Sequence, residues 1–216
     1  FLPSITTIGE NPASSWQDKI QEASDLGIKK VAIFLTCLNE SQRKVFYSLL
    51  EKSAIKEVPF LHIRSDMTPG ELDYLQEKFK TKIFNTHTNR QHPLIYNLEK
   101  YNQEIFIENT WPWDEQEIKK FAGLCLDFGH LYDAKILRPD DYKNNLKILK
   151  KYPIGCNHIS AIDGEVAFFK TEIGERPFLS RHLFTDLSQF DYLKEYPKEW
   201  FSNFCAMELE NSLAEQ

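Results

Sequence analysis

The residues best suited to chemistry are carboxylates and a histidine placed in or at the ends of short apolar runs. Glu108 follows Ile105-Phe106-Ile107, Asp127 follows Leu124-Cys125-Leu126, and His158 lies inside a third run. A carboxylate that ends a buried run is costly to desolvate unless it is paired or bound to a metal. Two such carboxylates and a histidine therefore predict a divalent-metal site.

Further candidate ligands follow the same placement. His62 ends an apolar run, His87 follows the next one, His130 lies three residues after Asp127, and Glu208 stands in the last run. Mixed carboxylate and imidazole ligands suit Mn, Co, Fe or Zn better than Ca or a structural thiolate zinc, and Mg is a further candidate.

The elements that would position these residues alternate regularly along the chain. Most of the predicted strands are continuous apolar runs, which is typical of parallel strands covered on both faces. The predicted strands are Ile5–Ile8, Val31–Leu35, Pro59–Ile63, Lys82–Asn85, Ile105–Glu108, Leu124–Asp127, Cys156–Ser160 and Ala206–Leu209.

Helix-forming segments separate the strands. Thr68-Pro69-Gly70-Glu71 is a capping box that predicts a helix to about Phe79. A second helix, with the acidic Asp114 in its first turn, is predicted to end near Gly123. The remaining predicted helices are Ser15 to Gly27, Asn39 to Lys52, Asp140 to Lys151 and the short Asp191 to Tyr196.

Eight strand–helix units predict a single (β/α)8 TIM barrel over residues 1–216, with a doubly wound open sheet as the competing arrangement. Its active site would lie where the carboxyl ends of the strands meet. Only Asn211 to Gln216 follow the last predicted strand, so we expect a stub or truncated last helix. A barrel edge left open in this way predicts cover by a second copy of the chain, a homo-oligomer.

Composition narrows the class of protein. The 216 residues are 42% hydrophobic and carry a formal net charge of -6, which indicates a folded globular protein. No long apolar run or signal-peptide pattern is present, and the four cysteines form no CxxC pair. These features predict a cytoplasmic protein with reduced thiols and no membrane partner. The acidic balance disfavours nucleic acid as a partner, although a local basic cleft would still bind it.

Four segments, in order, resemble the metal-site segments of the xylose-isomerase-like barrels. They are Ile107-Glu108-Asn109-Thr110, Leu126-Asp127-Phe128-Gly129-His130, Asn157-His158-Ile159-Ser160 and Met207-Glu208-Leu209-Glu210. That superfamily includes sugar isomerases and epimerases as well as the endonuclease IV family. The resemblance implies that Glu108, Asp127, His158 and Glu208 hold one metal. It also implies that Glu108 and Glu208 face the substrate from two sides and that His130 contacts substrate oxygens.

The endonuclease branch implies additional metal or substrate contacts at histidines that match in order: His62, His87, His130 and His182. The match is incomplete. Ser180 stands where that branch has an aspartate ligand. Ala161 replaces a second aspartate, and the nearby Asp163 is out of register. A third metal in this chain would therefore lack a ligand.

Three functions remain open. The first is a metal-dependent isomerase or epimerase of a small sugar or sugar phosphate. The second is a metal-dependent phosphodiesterase acting at apurinic sites in DNA, and the third is a barrel that binds metal or ligand without chemistry. The predicted loops are short and contain few Lys and Arg residues, which favours a small substrate over a DNA duplex. Arg64, Arg90, Arg176 and Arg181 are the arginines expected near the barrel mouth.

Aromatic residues and one long loop are the other predicted substrate contacts. Trp111 and Trp113 follow Glu108 closely and could stack on a sugar ring, and Arg181 could bind a substrate anion. Residues 161–181 form the longest predicted loop. With Phe168, Phe169, Lys170 and Phe178 it could close over a small substrate as a lid.

Overall fold

Eight parallel strands form the centre of the computed structural model, which describes residues 1–7, 15–171 and 174–216. The strand order is β1-β2-β3-β4-β5-β6-β7-β10, so each strand but the last lies beside its neighbour in sequence. The predicted (β/α)8 TIM barrel is thereby confirmed, as a nearly closed barrel. The strands are β1 (Ser4–Thr6), β2 (Lys30–Phe34), β3 (Glu57–His62), β4 (Ile83–Thr86), β5 (Ile105–Glu108), β6 (Gly123–Asp127), β7 (Ile154–Ile159) and β10 (Cys205–Met207).

The α-helices surround this barrel. They are α1 (Trp16–Asp25), α2 (Glu40–Lys52), α3 (Pro69–Phe79), α4 (Glu115–Ile118), α5 (Phe128–Leu137) and α6 (Pro139–Leu149). The capping box at Thr68 forms as the sequence predicts, with Glu71 as its second member. Short 3-10 helices cover Glu99–Tyr101, Leu187–Glu195 and Lys198–Trp200.

Three helical segments differ from expectation. The helix predicted from Asp114 to Gly123 ends at Ile118, and Asp191 to Tyr196 belongs largely to a longer 3-10 helix. Helix α5 was not predicted at all. It begins directly after β6 because the Asp127 side chain accepts a hydrogen bond from the His130 backbone amide at 2.8 Å and caps the first turn.

The segment expected to be a long loop is instead a β-hairpin. Strand β8 (Ala161–Thr171) pairs antiparallel with β9 (Gly174–Arg181). Val166 and Phe168 on one strand, and Phe178 and Leu179 on the other, are residue types that favour extended backbone. The side chains of Phe169 and Lys170 lie outside the described part of the chain, as does the predicted strand residue Ile8.

The seam between β1 and β10 closes by a few contacts. Leu2 bridges to Ala206, with the Leu2 amide donating to the Cys205 carbonyl at 2.7 Å. Farther along, the buried Lys19 ammonium of α1 donates to Thr6 Oγ1 at 3.1 Å and to the Leu209 carbonyl at 2.6 Å. Burial lowers the pKa of Lys19 to about 8, with nearby Glu210 and Glu22 acting in the opposite direction.

Residues 208–216, which come after β10, contain no helix and form bends and one turn. The expected stub helix is therefore absent, and a turn occupies its place. The Gln216 side chain accepts from the Ser4 amide at 2.7 Å and donates to the Ser4 carbonyl at 3.2 Å. These bonds satisfy backbone groups of the edge strand β1 that a barrel neighbour would otherwise pair.

The barrel interior is apolar at its floor and polar at its mouth, the end where the strands terminate. Ala32, Phe34, Phe60, Ile83, Phe106, Cys125, Cys156 and Ala206 form the apolar layer. Strand register then places Asp127 opposite His158, and His62 opposite Asn85, one layer above it. Within the described residues, no helix combines the length and apolar character needed to cross a bilayer.

Candidate metal centre

Four predicted ligands converge at the mouth of the barrel. Glu108 ends β5, Asp127 ends β6, His158 lies in β7, and Glu208 follows β10. One ligand atom from each lies within 4.8 Å of every other. All four side chains are buried. Neighbouring parallel strands bring together residues that are up to 100 positions apart in sequence, as the barrel geometry requires.

The imidazole of His158 is surrounded by the three carboxylates. Its Nδ1 lies 3.4 Å from Glu108 Oε2, 3.4 Å from Glu208 Oε2 and 3.9 Å from Asp127 Oδ2. Among the described residues, neither ring nitrogen of His158 has a hydrogen-bond partner. Two atoms bound to one divalent ion at about 2.1 Å lie roughly 3–4 Å apart. The set therefore fits a divalent cation, which would also offset the repulsion among three buried carboxylates.

A second group of candidate ligands shares Glu108. His62 Nε2 lies 3.1 Å and His87 Nε2 lies 3.8 Å from Glu108 Oε2. His62 Nδ1 lies 3.0 Å from the Ile63 carbonyl oxygen, which can only accept, so Nδ1 carries the proton. Nε2, on the side of the ring next to Glu108, is then the nitrogen that could bind a metal.

Two polar residues that the sequence reasoning missed hold Glu108 in place. Asn85 Nδ2 donates to Glu108 Oε2 at 2.8 Å, and Thr110 Oγ1 donates to Oε1 at 3.2 Å. Asn85 ends a predicted strand, so the placement that identified Glu108 and Asp127 also carries a signal for it. The Thr110 contact depends on how the chain turns after β5 and has no comparable signal.

The three carboxylates at the mouth differ in the direction in which their pKa is shifted. Burial works to raise the pKa of Glu108 and Glu208, but the facing imidazoles outweigh it. The pKa of Glu108 is held well below its usual range and that of Glu208 falls to about 2. Burial, reinforced by the charges of Glu108 and Glu208, raises the pKa of Asp127 to about 6, although His130 opposes the rise.

His130 and His182 lie beside the four-residue group. His130 Nε2 lies 3.7 Å from Glu108 Oε1 and 3.9 Å from Asp127 Oδ2. His182 Nε2 lies 3.9 Å from Glu208 Oε1. Ser180, in the position where the endonuclease branch has an aspartate, donates its hydroxyl to Asp133 at 2.7 Å and lies in the hairpin.

The two tryptophans have different surroundings. The Trp111 ring is partly exposed, with the Arg176 guanidinium 4.3 Å and that of Arg90 5.7 Å from its centroid. Trp113 is buried in the core, and its indole N–H donates to the Ile107 carbonyl at 3.0 Å. The buried placement of Trp113 does not suit stacking on a substrate, whereas the partly exposed ring of Trp111 does.

Most arginines expected near the mouth are engaged by protein groups. Arg64 pairs with Asp66 at 3.0 Å, and Arg176 pairs with Asp141 at 2.6 Å. Arg181 donates to the Ser180 and Glu165 carbonyls at 3.0 and 2.7 Å, within the hairpin. This pairing reduces the positive charge available to a polyanionic partner.

Comparison with known proteins finds a likeness among solved structures. No family model matches the sequence, and no curated protein matches it. The fold is similar to that of a xylose isomerase-like TIM barrel protein from Mycobacterium smegmatis solved in complex with magnesium. The two share 14% sequence identity and a TM-score of 0.43 over 92% of this chain and 82% of the other. The barrel fold itself rests on the strand order described above.

Proposed function

We propose that this chain is a divalent-metal-dependent isomerase or epimerase of a small sugar or sugar phosphate. The observation that carries the proposal is the convergence of Glu108, Asp127, His158 and Glu208 within 4.8 Å at the mouth of the barrel. Three buried carboxylates and an imidazole share one small space, so a divalent cation bound among them would offset three negative charges.

The cation, held by those four residues, would supply Lewis acidity toward a substrate carbonyl or hydroxyl oxygen. Glu208 and Glu108 lie on different sides of the mouth, so one carboxylate can remove the proton from the carbon next to that oxygen and the other, in its protonated form, can return a proton to the opposite face. Asn85 and Thr110 fix the Glu108 carboxylate. His130 Nε2, which faces Glu108 and Asp127, would add a further ligand to the cation.

The charge near the mouth favours a small substrate. His182, directly after hairpin β8–β9, lies beside Glu208, and the partly exposed Trp111 offers an aromatic edge for a sugar ring. The paired arginines leave enough positive charge for one phosphate and little for a nucleic-acid backbone. The free cysteines support a cytoplasmic site of action.

The test is solvent proton exchange. We expect the Mn²⁺- or Co²⁺-loaded protein to incorporate deuterium from D2O at the carbon next to the carbonyl of at least one member of a panel of ketoses, aldoses and their phosphates. Glu208→Gln should abolish the incorporation. Glu215→Gln, a change in an exposed carboxylate, is the matched control and should keep it. No exchange with any member of the panel would contradict the proposed reaction.

The second candidate is metal-dependent phosphodiester hydrolysis, and one observation favours it. Glu108 is shared between the four-residue group and the pair His62 and His87, as a carboxylate is in two-metal hydrolytic sites. Cleavage of an oligonucleotide containing an abasic site, with two ions bound per chain and no sugar exchange, would select this function instead.

A further inference from the structure

Asp133 is a fully buried carboxylate of α5 that belongs to neither group of candidate ligands. Its Oδ1 accepts backbone hydrogen bonds from Leu179 at 2.6 Å and Ser180 at 3.0 Å in strand β9. Its Oδ2 accepts the Ser180 hydroxyl at 2.7 Å. Three protein donors therefore fix this carboxylate rigidly between the helix and the hairpin.

The same Oδ2 faces the site through His130. Asp127, His130 and Asp133 are spaced three residues apart, which places them along one side of the helix that begins at the mouth. His130 Nδ1 lies 3.7 Å from Asp133 Oδ2, while Nε2 on the opposite side of the ring faces Glu108 and Asp127. The imidazole is thus held between a structural carboxylate and the ligand carboxylates.

Strand β9 carries this contact to another histidine. Two residues beyond Ser180, His182 lies beside Glu208, and its carbonyl accepts from the Glu210 amide. Because Asp133 holds β9 in place, it also helps to determine where His182 lies at the mouth of the barrel.

We propose that Asp133 is a positioning residue, which orients His130 so that its Nε2 lone pair faces a divalent cation at Glu108 and Asp127, and which anchors hairpin β8–β9 to the same helix. The cation-binding part rests on the proposed function. A carboxylate at ion-pair distance from the Nδ1 side of the ring, here 3.7 Å, favours a proton on Nδ1 and leaves Nε2 for the cation.

Asp133→Asn separates the two roles. The asparagine carbonyl can still accept from the Leu179 and Ser180 amides, and its NH2 can donate to Ser180 Oγ, so the hairpin anchor is kept. Toward His130, however, an acceptor becomes a donor, which favours the tautomer with the proton on Nε2. Asp141→Asn is the matched control, because Asp141 also ties the hairpin to a helix, through Arg176 and α6, but forms its ion pairs with arginines rather than with His130.

The first measurement uses the metal-free protein. In a 15N-edited NMR spectrum, the wild type should show a His130 Nδ1 proton protected from solvent exchange. That signal should vanish in Asp133→Asn and persist in Asp141→Asn. A wild type without this signal, or a signal unchanged in Asp133→Asn, would overturn the proposal irrespective of metal binding.

The second measurement is calorimetric titration with Co²⁺. We expect Asp133→Asn to weaken binding by about tenfold or more, and Asp141→Asn to leave it unchanged. In a His130→Ala background, adding Asp133→Asn should have no further effect, because the two residues act through one another. An equal loss in both backgrounds would contradict positioning through His130. Failure of the wild type to bind any ion would overturn the proposed function, and the NMR result would still decide the role of Asp133.

Discussion

At the scale of single residues, the molecule places several ionised groups in dry surroundings and compensates each of them differently. The carboxylates at the mouth face imidazoles. The Lys19 ammonium donates to oxygen atoms at the seam between β1 and β10, and Arg43 forms ion pairs with acidic residues in and just before α3. Arg43 is completely buried, with Nε 2.8 Å from Glu71 Oε1 and Nη1 2.9 Å from Asp66 Oδ1. Its compensation depends on Glu71, which is also the second member of the capping box of α3.

Glu71→Gln should therefore lower the free energy of unfolding by roughly 3 kcal/mol at pH 7. Burial works to raise the Glu71 pKa, but the hydrogen bonds from Arg43 and the Thr68 amide outweigh it and hold the pKa below 4.5. A pKa lowered on folding gives stability that is complete above the unfolded value and is lost as the pH falls through the folded one. The difference between wild type and variant should therefore shrink below about pH 4.5.

Urea unfolding at several pH values checks this result. Glu40→Gln is the matched control, because its ion pair with Lys44 is exposed on both sides and should contribute little at any pH. A Glu71→Gln deficit that stays constant down to pH 3 would contradict the assigned charge state.

At the scale of elements, the packing of β7 depends on a position that has no room for a side chain. Gly155, at the start of β7, has its α-carbon against the Phe106 ring, and a Cβ there would overlap the ring. Phe106 belongs to the apolar layer beneath the metal centre. The position of β7, and hence of His158 three residues later, depends on this close contact.

We predict that Gly155→Ala destabilises the protein by about 1–3 kcal/mol, because the ring must move within a packed core. Thermal or urea unfolding measures the change. Gly164→Ala is the control, since a Cβ at Gly164 meets no atom within 4 Å. Equal stability of the two variants would show that the barrel floor can adapt to the extra carbon.

At the scale of the whole molecule, the sequence predicted the barrel and the metal-site residues through the same feature. Continuous apolar runs marked the parallel strands, and the polar residues at their ends, such as Glu108 and Asp127, marked the mouth. The strand order confirms the barrel fold that the resemblance to xylose-isomerase-like barrels implies. The roles assigned to the individual ligands remain predictions.

Other features depend on contacts that no local pattern encodes. Asp133 bonds to strand β9 across 46 positions, and Gln216 bonds to Ser4 across 212. Helix α5 was missed because its cap, Asp127, was interpreted only as a ligand. The hairpin was missed because its residues were assigned to a loop on the basis of length rather than β-propensity.

The most direct test of the account is the metal content of the purified protein after loading with Mn²⁺ or Co²⁺ and removal of excess ions. We predict at least one divalent ion per chain in the wild type, and loss of that ion in Glu108→Gln and in His158→Ala, each checked for folding by circular dichroism. A folded wild type without bound metal, or unchanged metal content in both variants, would contradict the assignment of the mouth of this barrel as a metal centre.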